Sequence, residues 1–465
     1  MVFNSIEFLI FLAVVYSLYA VLSHRPQNLM LLVASYLFYG WWDWRFLSLV
    51  LFSTIFDYFV ALGIPQCKTA ASRKTLITAS VCMNLGFLGF FKYFNFFADS
   101  AVTALNRIGL HADPVTLHIV LPVGISFYTF QAMSYTIDVY RDELKPTRNF
   151  LDFALYISFF PQLVAGPIER ATNLVPQVQN PRTITYTGVR EGAWLILRGF
   201  FKKVVIADNL AVIANTVFNN PAEYHGFAVL LGIYAFAFQI YGDFSGYSDI
   251  ARGCAKLMGF ELMQNFRIPY LSENPQEFWR RWHISLSSWL RDYLYIPLGG
   301  NKKGTFNTYR NLFLTMLLGG LWHGAAWNFV AWGAYQGLLL IGHRLITGRQ
   351  QPKDRSLLTK LPFALIMFQF TCLGWVFFRI NGMSDFPILM KNLFSAGPVP
   401  PEWLPAMLVA LAPLWLMEFI EERDGDTALV RRLPAVAKLA TYAVLLSYII
   451  FCGKTDGEQF IYFQF

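Results

Sequence analysis

"NLFLTMLLGGLWHGAAWNFVAWGAYQGLLLI", residues 311–341, contains no Asp, Glu, Lys or Arg and holds one histidine, His323, near its middle. A run this long and apolar is the material of membrane helices, since ~20 residues cross a ~30 Å hydrocarbon core. An ionisable ring inside such a run is costly unless it faces protein or a water-filled cavity, so it marks function by default. The plainer alternative is a neutral core histidine bonded to a neighbouring helix. At ~1.5 Å per residue, His323 lies ~18 Å along a straight helix from Asn311, close to mid-membrane. Gly319, Gly320, Gly324, Gly333 and Gly337 give the small-residue spacing that lets helix backbones approach. The run folds either as two short helices or as one helix with a re-entrant turn.

The rest of the chain agrees with a membrane setting. Of 465 residues, 55% are hydrophobic, 17% aromatic and only 14% charged, and the mean hydropathy is +0.42. A soluble domain carries ~25% charged residues. The expectation is an all-α, polytopic protein forming a single domain over 1–465. The stretch 2–22 carries Glu7 without a basic leader or small-residue cleavage site, and is expected to persist as a helix. The five cysteines show no paired spacing, and four sit in or beside apolar runs, so buried inert thiols are expected.

The formal charge of +8 is informative through its placement. Lys and Arg gather in 67–74, 141–148, 198–203, 280–310, 344–360 and 423–438, whereas 95–118, 219–226 and 381–404 are poor in them. Basic loops stay cytoplasmic, and threading the chain accordingly puts both termini outside. It gives spans near 3–22, 28–42, 46–63, 76–97, 119–140, 204–218, 226–245, 361–380, 404–421 and 439–452, with 311–341 returning to the inside. No basic cluster is set in a soluble binding fold, so nucleic acid is not an expected partner; the lipid bilayer is.

Two regions break the pattern. In "FALYISFFPQLVAGPIERATNLVPQ" (153–177), Pro161 and Gly166-Pro167 interrupt the apolar run. The segment reads as broken or re-entrant helix buried in protein, or as a short amphipathic surface helix followed by a loop. In "NPQEFWRRWHISLSSWLRDYLYIPLGGNKKGTFNTYR" (274–310), aromatics at 278, 279, 282, 289, 293 and 295 alternate with Arg280, Arg281, Arg291 and Asp292. That composition predicts an interfacial or re-entrant helix on the cytoplasmic side, with tryptophans at headgroup level.

His283, inside the second region, is the other candidate for chemistry, although an interfacial histidine beside arginines can simply meet headgroups. His24, His111, His118, His225 and His343 lie at loops or span ends. The sequence has no GxSxG turn, P-loop or HExxH. Without a nearby acidic or third imidazole ligand, His283 and His323 make a poor zinc site, and no metal is expected. Asp243 and Asp249 in "YGDFSGYSD" are better suited to pairing with nearby arginines than to acid–base work. "GGNKKG" (299–304) could meet phosphates through Lys302 and Lys303, and the inside-positive bias explains the same lysines.

"EFWRRWHISLSSWLRDYLYIPLGGNKKG" (277–304) followed by "YRNLFLTMLLGGLWHGAAWN" (309–328) resembles the membrane-bound O-acyltransferase family, in its bacterial alginate O-acetyltransferase-like branch. Further similar stretches are "LPVGISFYTFQAMSYTIDVYR" (121–141), "FFPQLVAGPIER" (159–170), "YGDFSGYSDIARG" (241–253) and "FIYFQF" (460–465). The resemblance implies a ring of about eleven transmembrane helices plus re-entrant or interfacial helices around a central catalytic tunnel. It implies that His323 is the catalytic histidine and His283 the second polar position. Arg281, Trp282, Trp322, Arg291, Lys302, Lys303 and Asn328 are candidates for binding substrate or donor. The implied donor is acetyl-CoA or another acyl thioester entering from the cytoplasm, with no bound cofactor. The acetyl group would pass to an exported exopolysaccharide, such as alginate or cellulose, through a periplasmic or membrane-anchored acetyltransferase partner at the inner membrane.

The residue chemistry is compatible with those roles. Acyl transfer to a hydroxyl needs a base, and an imidazole kept neutral in a dry cavity can accept the proton. His283 could orient the thioester or stabilise the oxyanion; a histidine-acyl relay is a variant of the same scheme. D-alanyl transfer to teichoic acid is an alternative within the family. A polysaccharide transporter or channel with His323 in its lining is an alternative outside it.

Overall fold

The computed structural model describes residues 1–113, 116–117, 119–164, 166–348, 357–454 and 460–461. His118, residues 114–115 of the loop 95–118, residue 165 within 159–170, residues 349–356 of the basic stretch 344–360 and residues 462–465 of the terminal motif lie outside them. Every regular element among the described residues is helical, the class expected. The chain divides into two compact units, residues 1–185 with 254–262 and residues 186–253 with 263–465.

The first unit opens with α1 (Ile6–Val21), whose N-terminus is capped by Ser5 Oγ accepting from the Phe8 amide at 3.2 Å. α2 (His24–Asp43) and α3 (Leu47–Gly63) run almost continuously. They are separated by a tight turn at Trp44–Phe46, where Asp43 accepts from the Arg45 amide. α4 (Ala70–Leu88), capped by Thr69, passes through a π-turn at Gly89–Tyr93 into α5 (Phe94–Arg107). α6 (Ile125–Tyr140) starts at Gly124, with φ +73°; a Cβ there would sit 2.7 Å from the Leu163 carbonyl, so only glycine fits the entry. Then come α7 (Phe150–Ser158), α8 (Phe160–Leu163) and α9 (Ala171–Gln179). From Asp152 to Val164 every side chain is buried. Of the two readings of 153–177, the broken helix enclosed by protein is therefore the observed one. Polar groups join the helices inside: Asp57 of α3 accepts from Ser80 Oγ at 2.6 Å and Asn84 Nδ2 at 2.8 Å, both on α4. Ser80 lies 3.1 Å from Thr136 Oγ1 of α6.

The second unit begins with α10 (Tyr186–Phe200), a π-turn at Phe201–Ala207, and α11 (Asp208–Asn219). α12 (Phe227–Leu257) gives its last turn to the first unit. The short α13 (Pro275–Arg281) and α14 (Ile284–Leu290) precede a π-turn at Arg291–Tyr295. α15 (Gly304–His323) and α16 (Trp327–Thr347) follow, then α17 (Leu357–Arg379), α18 (Asp385–Leu393), α19 (Trp403–Asp424), α20 (Ala428–Arg432) and α21 (Ala435–Cys452).

The run 311–341 is thus two helices packed antiparallel. Glycines make the contact possible: a Cβ on Gly333 would lie 2.6 Å from the Met316 carbonyl, and one on Gly320 would collide with the Phe329 carbonyl. Several buried charges in this unit are paired. Arg198 binds Asp249 at 2.7 Å and Glu421 at 2.7 Å, while Lys202 binds Asp249 at 3.0 Å; Lys203 binds Asp208 and Asp243, each at 2.9 Å. Asp249 pairs with arginine as expected, and Asp243 with a lysine. Burial opposes ionisation of Asp426, but Arg252 and Arg198 outweigh it and hold its carboxyl well below the usual carboxylate range.

By length and composition, six described stretches can cross a membrane: His24–Gln66, Ala70–Arg107, Phe227–Leu257, Thr359–Arg379, Trp403–Glu422 and Ala435–Cys452. They hold seven of the about eleven expected crossings, since His24–Gln66 contains both 28–42 and 46–63; the others are 3–22, 119–140, 204–218 and 311–341. α1 is apolar but only 16 residues long, whereas helices enclosed by protein carry polar groups a lipid-facing helix would not. Gln131 and Asp138 on α6, and Asn311 and Thr315 on α15, are all buried. The cysteine expectation needs correction, since only Cys254 and Cys372 are buried while Cys82 and Cys452 are exposed. They sit on apolar faces whose natural neighbour is lipid, so an apolar surrounding did not entail enclosure by protein.

Candidate active site

His323 is the last residue of α15. The helix stops there because Gly324 is extended (φ −159°, ψ 150°), and a Cβ on Gly324 would run into the Phe329 ring. The histidine therefore stands at the tip of a helical hairpin, not within an unbroken helix. Its ring is boxed by Trp322 and Trp332, each at 5.1 Å between centroids, and Phe378 of α17 at 5.3 Å. It is 4% exposed. As the first candidate from sequence, it proves to be buried and packed against three aromatic rings.

His283 links α13 to α14 with φ +43° and ψ 55°, a left-handed conformation that costs a non-glycine residue about 1–2 kcal/mol. The strand-like segment 265–267 holds it there. Arg267 N–H donates to the Arg281 carbonyl, and Ile284 N–H donates to the Asn265 carbonyl, both at 2.9 Å. Asn265 Oδ1 also accepts from Ser285 N at 3.2 Å and Ser285 Oγ at 3.0 Å, and it lies 3.1 Å from His283 Nδ1. That oxygen can only accept. The proton is therefore on Nδ1, and Nε2 of the neutral ring offers a lone pair. Burial pushes the imidazole down to about 3, so it stays neutral at ordinary pH. Phe244 of α12 backs the ring at 4.6 Å.

The His283 and His323 centroids are 6.5 Å apart, and Trp322 touches both rings at 6.1 and 5.1 Å. Of the other candidates, Asn328 is buried at the start of α16, where its amide donates to the Ile380 carbonyl at 3.2 Å. Trp282 is 1% exposed and packs on Phe278 and Trp375 inside the protein. Trp289 is also buried, so neither tryptophan is at a headgroup. Their rings fill the space between short helices that would otherwise bury too little apolar area. Arg281 forks onto Glu422 at 2.7 and 2.8 Å and pairs with Glu277. Arg291 is exposed beside Asp292, and Lys302 and Lys303 are exposed on the loop before α15. The structure thus groups His283, His323 and Trp322. It sets Arg291, Lys302 and Lys303 in solvent-accessible positions on a separate stretch of surface.

Sequence reading missed Asn265, Phe244, Trp332 and Phe378. Asn265 reaches His283 by loop pairing across 18 residues, a relation no local spacing records. Trp332 could have been suspected, because Asn328, Trp332 and Gln336 recur every fourth residue and form a polar-bearing stripe on α16. Elsewhere, His24 bonds the Val178 carbonyl at 2.8 Å, and His225 lies 3.0 Å from Ser395 Oγ. Among the described residues, no group of three or more His, Cys, Asp or Glu side chains could hold a metal ion.

Comparison with known proteins adds an independent line. Residues 75–384 match the model of MBOAT, the membrane-bound O-acyltransferase family. The chain is 46% identical over 402 residues to the probable alginate O-acetylase AlgI of Pseudomonas putida, covering 85% of this chain and 81% of that one. It is 36% identical over 493 residues to the peptidoglycan O-acetyltransferase of Helicobacter pylori, covering 99% and 90%. It is 30% identical over 276 residues to the teichoic acid D-alanyltransferase of Bacillus subtilis, covering 55% and 68%.

Proposed function

The chain belongs to the membrane-bound O-acyltransferase family and is a multi-pass membrane O-acyltransferase, and from that premise we propose how it acts. It takes an acetyl group from a cytoplasmic thioester, acetyl-CoA, and delivers it toward hydroxyls of an exported polysaccharide at the inner membrane. A periplasmic or membrane-anchored acetyltransferase completes the transfer. The polysaccharide reading is supported by the two acetyltransferase relatives, which act on alginate and peptidoglycan by name and align over most of this chain. The D-alanyltransferase relative aligns over little more than half of it.

One observation carries the assignment: two buried imidazoles 6.5 Å apart in a site otherwise lined by aromatic rings. His323 is the general base. It accepts the proton of the attacking hydroxyl as the oxygen bonds to the acetyl carbon, and returns it to the departing thiolate when the C–S bond breaks. His283, neutral and with its lone pair at Nε2, is an acceptor that orients a donor group of the substrate. As that tautomer it has no proton at Nε2 for an oxyanion. The aromatic walls exclude water that would hydrolyse the thioester.

The test is acetyl-CoA turnover by protein purified in detergent, without a membrane gradient and with a polysaccharide fragment supplied as the hydroxyl acceptor. Wild type is expected to release coenzyme A, and His323→Ala to do so about 10²–10⁴-fold more slowly. Undiminished turnover by His323→Ala would refute the general-base role. A transporter would consume no thioester in this assay.

A further inference from the structure

We infer that the indole N–H of Trp332 is the hydrogen-bond donor to the acyl oxygen in the transition state. The inference rests on the acyl-transfer reading above and extends it to a residue with no role so far. Acyl transfer moves negative charge onto the carbonyl oxygen, and a dry site needs a fixed donor aimed at that charge. His283 does not supply it, because its ring proton is committed to Asn265 Oδ1.

Trp332 is 1% exposed, yet its Nε1–H has no acceptor among the described residues. Buried donors are satisfied in the great majority of cases, and an exception calls for a reason. Its ring meets the His323 ring edge to face, at 5.1 Å and 89°. Trp375, in the same cluster and 6.1 Å from Trp332, spends its N–H on Tyr270 Oη at 3.2 Å. Packing therefore did not prevent an indole here from finding an acceptor. Trp279 Nε1 is also unsatisfied, but its ring contacts among the described residues are Phe278 and Trp332. Trp322 adjoins His323 as closely, at 5.1 Å, and its benzothienyl replacement is the parallel arm of the experiment: a loss of kcat there equal to or larger than at 332 overturns the assignment to Trp332.

The step balances within the chain and its two substrates. The hydroxyl proton moves to His323, the hydroxyl oxygen bonds to the acyl carbon, and the C=O electron pair shifts to oxygen, where Trp332 Nε1–H donates to it. Collapse restores C=O and expels the thiolate, which takes the proton from His323.

The experiment compares wild type, Trp332→Phe and Trp375→Phe, with the non-natural change Trp332→β-(3-benzothienyl)alanine, which keeps the ring shape and removes the N–H. The readouts are kcat and KM for acetyl-CoA, and Tm in detergent. Both changes at 332 are expected to lower kcat about 10²-fold with KM nearly unchanged. The benzothienyl protein is expected to keep the wild-type Tm, whereas Trp375→Phe loses Tm through its broken bond to Tyr270. A benzothienyl protein with wild-type kcat, or one that loses Tm as Trp375→Phe does, overturns the proposal while the acyltransferase reading stands. A wild-type protein inert toward acetyl-CoA overturns the acetyl-CoA reading and this proposal together.

Discussion

At the scale of single residues, His323 and His283 differ in what holds them. His283 is fixed by a side-chain acceptor and an unusual backbone angle, whereas His323 is fixed by the rings around it. The tautomer of His283 is open to direct measurement. In protein labelled with ¹⁵N-histidine, its proton is expected on Nδ1, with no protonation of Nε2 between pH 5 and 9. The sign follows from burial, which lowers the pKa, so the neutral form persists on the acid side of the usual value near 6.5. A titration midpoint near 6.5 for this residue would refute the assignment. Both histidines were legible in the sequence, because an ionisable ring stands out against a charge-free or aromatic background. Asn265 and Trp332 were not. One is an ordinary loop residue until the chain folds back on 281–284, and the other is one tryptophan among 13.

At the scale of helices, the apolar runs placed most elements to within a few residues. α2, α3, α17, α19 and α21 lie where spans were expected, since each run is bounded by polar or charged residues that end it. The sequence alone leaves the hairpin of α15 and α16 open, because glycine at 324 is compatible with both a turn and a continuing helix. Tertiary contact decides it. Gly333→Ala is expected to cost about 1–3 kcal/mol, because the added methyl meets the Met316 carbonyl at 2.6 Å. Gly342→Ala, on the same helix with nothing within 4 Å, is expected to be neutral or to stabilise by about 0.5–1 kcal/mol. Thermal melting in detergent distinguishes them. Equal effects would mean that close backbone approach is not what the hairpin requires.

At the scale of the molecule, composition was enough to declare a helical membrane protein. The number of crossings was less accessible, since burial by protein and burial by lipid make different demands on a helix. Asp57 shows the distinction. Its partners are the hydroxyl of Ser80 and the amide of Asn84, and no cation pairs with it among the described residues. During synthesis α3 reaches the bilayer before α4 exists. A lone aspartate at a helix centre then costs about 2.5–3.5 kcal/mol, against about −0.3 to −0.6 for each Leu, Ile, Val or Phe. Ten such residues in α3 bring its balance to about −3.5 to +0.5 kcal/mol, so the aspartate consumes most of the gain, and α4 with its two polar groups restores it. Chains truncated after residue 66 should therefore integrate less efficiently than chains ending after residue 107, and Asp57→Leu should abolish the difference. Equal integration of the two chains would contradict this. If it holds, the order of biogenesis is written into a carboxyl group that the finished protein keeps out of sight, and these two helices enter the membrane as one.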